Sequence, residues 1–290
     1  MGKPVIYPLA ERIIKMVESA TLQMTAKARK LKQEGNDVIN LSIGEPDFDT
    51  PQFIKDAAKE ALEDGYTKYT PVSGLLELKQ AIQRKFKRDN NIDYALDEIV
   101  VSNGAKQSIA NAAMSLLNDG DEVIIFAPYW VSYLEIVQLA GGVPVIVHAG
   151  IENDFKVLPS QLQDALSDKT RMIIFSSPCN PTGSVYSLDE LKAFADILGS
   201  KDEIYIVSDE IYEYINYSGQ HASIASIPYV KDQTITINGF SKGFAMTGWR
   251  LGYMGAPKEV AKAVDKMQGQ FTSGADSFSQ KAAVTALDTE

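Results

Sequence analysis

Lys242 lies in the stretch NGFSKGFAMTGWRLG (residues 238–252), directly behind the β-branched run TITI, and Arg250 follows in the same stretch. A lysine drawn out of water loses basicity, and its free amine can then attack a carbonyl to form a Schiff base. Ser241 and Gly243 flank it with small side chains that leave room for a planar group, and Phe240, Phe244, Met246 and Trp249 are expected to keep such a pocket dry. Asp209 and Glu210 follow the apolar run IYIVS, with Tyr212 close behind, and Asn180 stands between two prolines in PCNPTGS. The turn NGAKQS opens a helix at Gly104, where free N–H groups and the helix dipole favour an anion such as a phosphate. Each feature also has an ordinary reading. Lys242 and Arg250 could be two surface cations, Asp209 and Glu210 a solvated helix start, and Gly104 a glycine required only by loop geometry.

The elements that must carry these residues alternate. RIIKMVESATLQMTAKARKLKQEG reads as partly helical, VINLSIGEPDF as a short strand entering a Gly-Pro loop, and PQFIKDAAKEALEDG and SGLLELKQAIQRKFKRDN as helices. From about residue 98 the strands EIVVS, EVIIF, VPVIV, RMIIFSSP, IYIVSD and TITIN are separated by helix-length segments. Continuous apolar strands with intervening helices predict an α/β fold with a largely parallel sheet covered on both faces. Such sheets bind ligands at the carboxyl ends of their strands, where Asp209, Asn180 and Lys242 all fall.

Composition narrows the class. The chain has 290 residues, is 45% hydrophobic and carries 28 basic and 38 acidic side chains, a net charge of −10. One large domain with an appendage is expected, and with no basic run neither a nucleic acid nor a membrane surface is an expected partner. Cys179 is the only cysteine, which excludes an intrachain disulfide framework; it reads as a small buried filler. No run is long and apolar enough to span a bilayer, and MGKPVIYPLAERIIKMVESA lacks a signal-peptide core, so a cytoplasmic location is expected.

Taken together, the strand-end residues match the needs of one chemical object. A pyridinium ring calls for an anion at its nitrogen, donors at its phenolic oxygen, a phosphate cradle and a lysine. Asp209, the Asn180/Tyr212 pair, the Gly104–Ser108 turn with Arg250, and Lys242 supply these. In addition, SIGEPDFDTP, PYWVSY, NPTG, VSDEIY and SKGFAMTGWRLGY stand in the order found in class I aminotransferases of pyridoxal-phosphate fold type I, and the chain resembles that family throughout, most of all its bacterial aspartate aminotransferases.

The resemblance implies a three-layer α/β sandwich on a mostly parallel seven-stranded sheet. It places an N-terminal arm and part of a small domain in residues 1–45, the large cofactor-binding domain in 46–290, and leaves the rest of the small domain outside the chain. It implies pyridoxal 5′-phosphate as cofactor, with Lys242 as the Schiff-base and proton-shuttling residue, Asp209 at the ring nitrogen, and Asn180 and Tyr212 at the phenolic oxygen. Trp130 would lie on the ring face, Gly104, Ala105, Lys106, Ser241 and Arg250 around the phosphate, and Tyr69 would reach the cofactor of a second subunit in a homodimer. Gly44, Trp130, Asn180 and Lys106 would contact substrate, Lys106 through a distal carboxylate, with Ser19 and Thr21 near the same end.

The implied reaction is ping-pong transfer of an amino group from an L-amino acid, aspartate first, to 2-oxoglutarate. The same scaffold also serves aromatic amino acids, prephenate, or β- and γ-elimination. A third possibility is a cofactor-binding chain without turnover. The family also uses a C-terminal arginine for the substrate α-carboxylate, and no residue before Glu290 matches it. A fragment or a shortened reading frame is therefore expected, with little transamination from the 290-residue chain as written.

Overall fold

The structure, a computed structural model, describes residues 9–18 and 20–289. Two N-terminal helices, α1 (Glu11–Lys15) and α2 (Ala20–Gln33), bury none of their residues. They are followed by α3 (Gln52–Glu63) and α4 (Leu76–Asn90). The alternating region then runs β1 (Ile99–Ser102), α5 (Ala105–Leu116), β2 (Glu122–Ala127), α6 (Ser132–Leu139), β3 (Val143–His148), α7 (Pro159–Ala165), β4 (Thr170–Ser176), α8 (Leu188–Leu198) and β5 (Tyr205–Asp209). It closes with α9 (Pro228–Lys231), β6 (Thr234–Gly239), β7 (Gly252–Gly255), α10 (Lys258–Phe271) and α11 (Ser277–Asp288).

The seven strands form one sheet in the order β1-β7-β6-β5-β4-β2-β3. Only β7 runs against its neighbours, antiparallel to both β1 and β6. Side chains alternate across this sheet, so each apolar run feeds two cores. Met172 and Ile174 of β4 pack with Ile109 of α5, Ile136 of α6 and Val264 of α10. Ile173 and Phe175 of the same strand pack with Leu162 of α7, Leu191 and Phe194 of α8 and Val230 of α9. Burying one such side chain is worth about 1.5–3 kcal/mol, which is why runs apolar at every position form strands covered on both faces. A third cluster joins α3, α4 and α11 through Ile54, Leu78, Phe86, Ala283 and Leu287. The α/β class, the parallel sheet and its three layers are as expected from the sequence.

Two local expectations fail. Among the described residues, VINLSIGEPDF contains no strand, and Ile39 and Leu41 are 86% and 90% exposed. An apolar run becomes a strand only where a neighbour completes its hydrogen-bond ladder, and here none lies alongside. Conversely, β7 has the sequence GYMG, which carries little strand propensity, and it forms because β1 and β6 hold it on both sides.

Candidate active site

The carboxyl ends of β4 and β5, the loop after β6 and the start of α5 border a cavity of about 720 Å³. Lys242, Asp209, Tyr212, Asn180, Ala105, Lys106, Trp130, Ser241, Arg250, Gly44 and Thr21 all line it, so the loops singled out in the sequence converge in space. Ser19 lies outside the described residues. Tyr69 is 99% exposed and lies away from this cavity.

Lys242 extends from the loop behind β6, and its Nζ donates to the Gly44 carbonyl at 2.7 Å. Its basicity is below that of an ordinary lysine. Burial is the main cause, Arg250 reinforces it, and Glu45 and Asp209 oppose it in part. The loop is anchored from below by Phe240 and Met246, both fully buried in the α3–α4–α11 cluster. These side chains therefore support the lysine and do not dry its pocket, contrary to expectation; the apolar walls are Leu22, Leu41, Ile43, Trp130 and Ile211. Gly243 also has a different reason from the one anticipated, since a Cβ there would come within 2.6 Å of the Tyr214 ring. From the other side, Thr247 donates to Glu45 at 2.9 Å, Thr50 to the Ala245 carbonyl at 2.6 Å, and the Trp249 indole to Thr50 at 3.1 Å.

Asp209 closes β5 and is only 4% exposed, which removes the solvated-helix reading. The Tyr133 hydroxyl donates to its Oδ2 at 2.5 Å and the Ile211 N–H to its Oδ1 at 3.3 Å. Burial nevertheless pushes its pKa up to about 6; these two hydrogen bonds and Lys242 pull it down, and Glu210 adds to the rise. Tyr133 was not anticipated, because its partner is 76 positions away in the chain.

A raised carboxylate pKa means that the folded chain holds a proton more tightly than the unfolded one between pH of about 4 and about 6. Stability is therefore lost as pH rises through that window, by about 3 kcal/mol in all. Asp209→Asn keeps one acceptor oxygen for the Ile211 N–H, and its NH2 can donate to the Tyr133 hydroxyl once that hydroxyl turns to accept; in the cofactor-free protein it is expected to raise stability at pH 8 by up to about 3 kcal/mol. The gain should shrink to about 1 kcal/mol at pH 4.5. Urea unfolding at the two pH values checks this, and an equal gap at both would show that the carboxylate charge carries no such penalty.

The start of α5 is built to receive an anion. In α8, Ser187 and Glu190 close a reciprocal capping box, whereas α5 begins at Gly104 with no side-chain cap. Among the described residues no protein acceptor faces the N–H groups of Ala105 and Lys106. Gly104 has φ of +89°, and a Cβ there would come within 2.6 Å of the Arg250 guanidinium, so glycine lets the cation close over the helix start. Arg250 is held by the Thr247 carbonyl at 2.9 Å.

On the opposite wall the Asn180 amide donates to the Tyr212 hydroxyl at 3.3 Å. Burial raises the Tyr212 pKa, and Asp209 adds to this. Cys179 is partly buried, its Sγ directed at the Pro128 carbonyl at 3.4 Å, which supports the filler reading. The Lys106 ammonium lies 4.8 Å above the Trp130 ring, with basicity lowered by burial and then by Arg250.

These observations fit pyridoxal phosphate on the chain's own chemistry. A buried carboxylate with no salt bridge among the described residues, an open helix start beside an arginine, two phenol- or amide-bearing side chains and a desolvated lysine are gathered in one cavity. The family model of aminotransferase class I and II matches residues 36–290. The chain belongs to that aminotransferase family. It is 49% identical to a probable aspartate/prephenate aminotransferase of Rhizobium leguminosarum bv. phaseoli, over 97% of this chain and 70% of that one. An aspartate aminotransferase of Geobacillus stearothermophilus is also 49% identical, over 96% of this chain and 71% of that one. Among solved structures, the aspartate aminotransferase from Thermus thermophilus with maleate superposes with a TM-score of 0.95 at 43% identity, over 98% of this chain and 73% of that one. This aminotransferase chain thus spans about seven-tenths of the length of those relatives. Among the described residues, no helix is long and apolar enough to cross a membrane.

Proposed function

We propose that this aminotransferase moves the amino group of L-aspartate to 2-oxoglutarate by a ping-pong reaction, using pyridoxal phosphate held in the cavity around Lys242. The observation that carries the reading is the convergence of a desolvated lysine, a buried carboxylate and an open, arginine-flanked helix start on that one cavity. Bound there, pyridoxal phosphate supplies a carbonyl for the amino group and a ring that accepts the electron pair left when the α-proton departs.

The protein's part follows from its geometry. Lys242, with lowered basicity, takes the α-proton at Nζ and returns it, and the Gly44 carbonyl sets the reach of that amine. Asp209 presents a fixed negative charge that favours a protonated ring nitrogen, oriented by Tyr133 and the Ile211 N–H. Tyr212 and Asn180 offer donors to a phenolic oxygen. Arg250, Ser241 and the N–H groups of Ala105 and Lys106 would hold the phosphate, and Trp130 would offer a wall to a planar ring.

Aspartate is the preferred donor because Lys106 places at the cavity wall an ammonium whose basicity is lowered by partial loss of water and by Arg250, and a second carboxylate there would give it a counter-charge. The matched Thermus thermophilus enzyme was solved with maleate, itself a dicarboxylate. Prephenate is a second acceptor on the strength of the names borne by the Rhizobium and Nitrosomonas europaea relatives. Lys106→Ala is expected to raise KM for aspartate about tenfold while changing that for phenylalanine by less than about twofold. Initial rates with a panel of amino donors and 2-oxoglutarate test both points. Equal losses for the two donors would remove Lys106 from the carboxylate site, and release of pyruvate and ammonia without keto-acid exchange would replace the reaction.

Two wider assignments belong to the same reading. The exposed Tyr69 ring supports a homodimer in which it reaches the partner's phosphate site. The absence of buried residues in α1 and α2 supports assigning residues 1–45 to an arm and part of a small domain, apart from the large domain of 46–290. A single cysteine and the acidic composition support a cytoplasmic setting.

A further inference from the structure

Behind the cavity floor lies a second set of ionisable groups that the proposed reaction does not use. The end of β5 and the short turn after it divide their side chains: Asp209, Ile211 and Tyr212 line the cavity, and Glu210 and Glu213 are buried outside it. Glu210 is fully buried and accepts from Ser208 at 2.9 Å and Ser223 at 2.6 Å through one oxygen, while its other oxygen faces His221 Nε2 at 2.9 Å. Glu213 contacts the ammonium of Lys85, accepts from the Asn90 amide at 2.9 Å and lies 4.0 Å from the same His221 nitrogen. Lys85 is itself fully buried and donates to Asn90 at 2.7 Å.

We infer that His221 is a positioning residue: as an imidazolium hydrogen-bonded to Glu210, with Glu213 4.0 Å from the same nitrogen, it fixes the turn that presents Asp209 and Tyr212 and neutralises the negative charge immediately behind Asp209. The charge count carries this. Two buried glutamates face one lysine, so the cluster is neutral only with His221 protonated, and removing a buried counter-charge is costly. Burial alone would lower the basicity of His221; Glu210, by charge and hydrogen bond, and Glu213 outweigh it against Lys85, leaving its pKa above the ordinary value. Lys85 and His221 already supply the cations of the cluster, so the closeness of Glu210, Glu213 and His221 does not call for a divalent ion. Glu210 also raises the pKa of Asp209, so the charge state of His221 is felt at the cavity floor.

The inference rests on the aminotransferase reading for its kinetic consequence, and one arm of its test is independent of catalysis. His221 and His148 are the only histidines. In cofactor-free protein carrying nitrogen-15 histidine, the imidazole resonances that vanish in His221→Gln should be those of an imidazolium at pH 7.5; neutral-ring shifts there overturn the proposal whatever the enzyme does. With cofactor, His221→Gln should lower kcat about tenfold, change KM for aspartate less than about twofold, and raise the pH midpoint of the visible absorption by about 0.5 unit or more. Adding Glu210→Gln removes the uncompensated charge and should bring the midpoint back. A variant that only loses thermal stability, with kcat and midpoint unchanged, or a double variant whose midpoint does not return, overturns the proposal.

Discussion

Lys242→Ala is expected to lower amino transfer by at least about 10⁴-fold, because the substitution removes both the proposed covalent attachment point and the group proposed to move the α-proton. The loss corresponds to about 5.5 kcal/mol of transition-state stabilisation. The fold should hardly respond. The lysine side chain makes one hydrogen bond, to the Gly44 carbonyl, and the loop that carries it is held by Phe240 and Met246 in the core and by Thr50 and Trp249 above. Steady-state rates beside a thermal melt separate the two quantities. A variant within tenfold of the parent, or one that fails to fold, would contradict the role given to this lysine.

Asp209→Ala has the second largest expected effect, a fall in kcat of about 10³-fold, or about 4 kcal/mol, with the affinity for pyridoxal phosphate falling much less. The asymmetry follows from the layout. The proposed phosphate contacts come from Arg250 and the start of α5, and the alanine leaves those groups in place. What is lost is the fixed negative charge, together with the acceptor of the buried Tyr133 hydroxyl, which is left unsatisfied at a cost of about 1–3 kcal/mol. Removing the desolvated carboxylate offsets much of that cost above pH 6, so a large stability change is not expected. Cofactor titration by absorbance, set beside kcat, tests the split. Equal losses in affinity and rate would make Asp209 a structural acid.

Much of this site was legible in the sequence because strand-end loops carry residue types with few other uses. Lys242, Asp209, Asn180 and Arg250 follow apolar runs or glycine turns, and the sheet brings those ends together. What was not legible depends on contacts between distant residues. Tyr133 lies one helical turn beyond Trp130, and nothing in its own neighbourhood marks it as the partner of Asp209. Lys85, Glu213 and His221 lie far apart or in separate elements of the chain, and no local pattern shows that they meet in the core. Adjacency to Lys242 in the sequence points Phe240 and Met246 at the pocket, whereas the turn behind β6 sends them inward. The run at residues 38–48 has the pattern of a strand without a neighbour to pair with, and β7 has neighbours without the pattern.

The most direct test of the site is to locate its covalent chemistry. Incubating the protein with pyridoxal phosphate, reducing with borohydride and mapping the peptides should place a single pyridoxyl group on Lys242. Asp209→Ala should be labelled at the same lysine, and Lys242→Ala should not be labelled specifically. Specific labelling of Lys106, Lys85 or any other lysine in place of Lys242 would contradict the site described above.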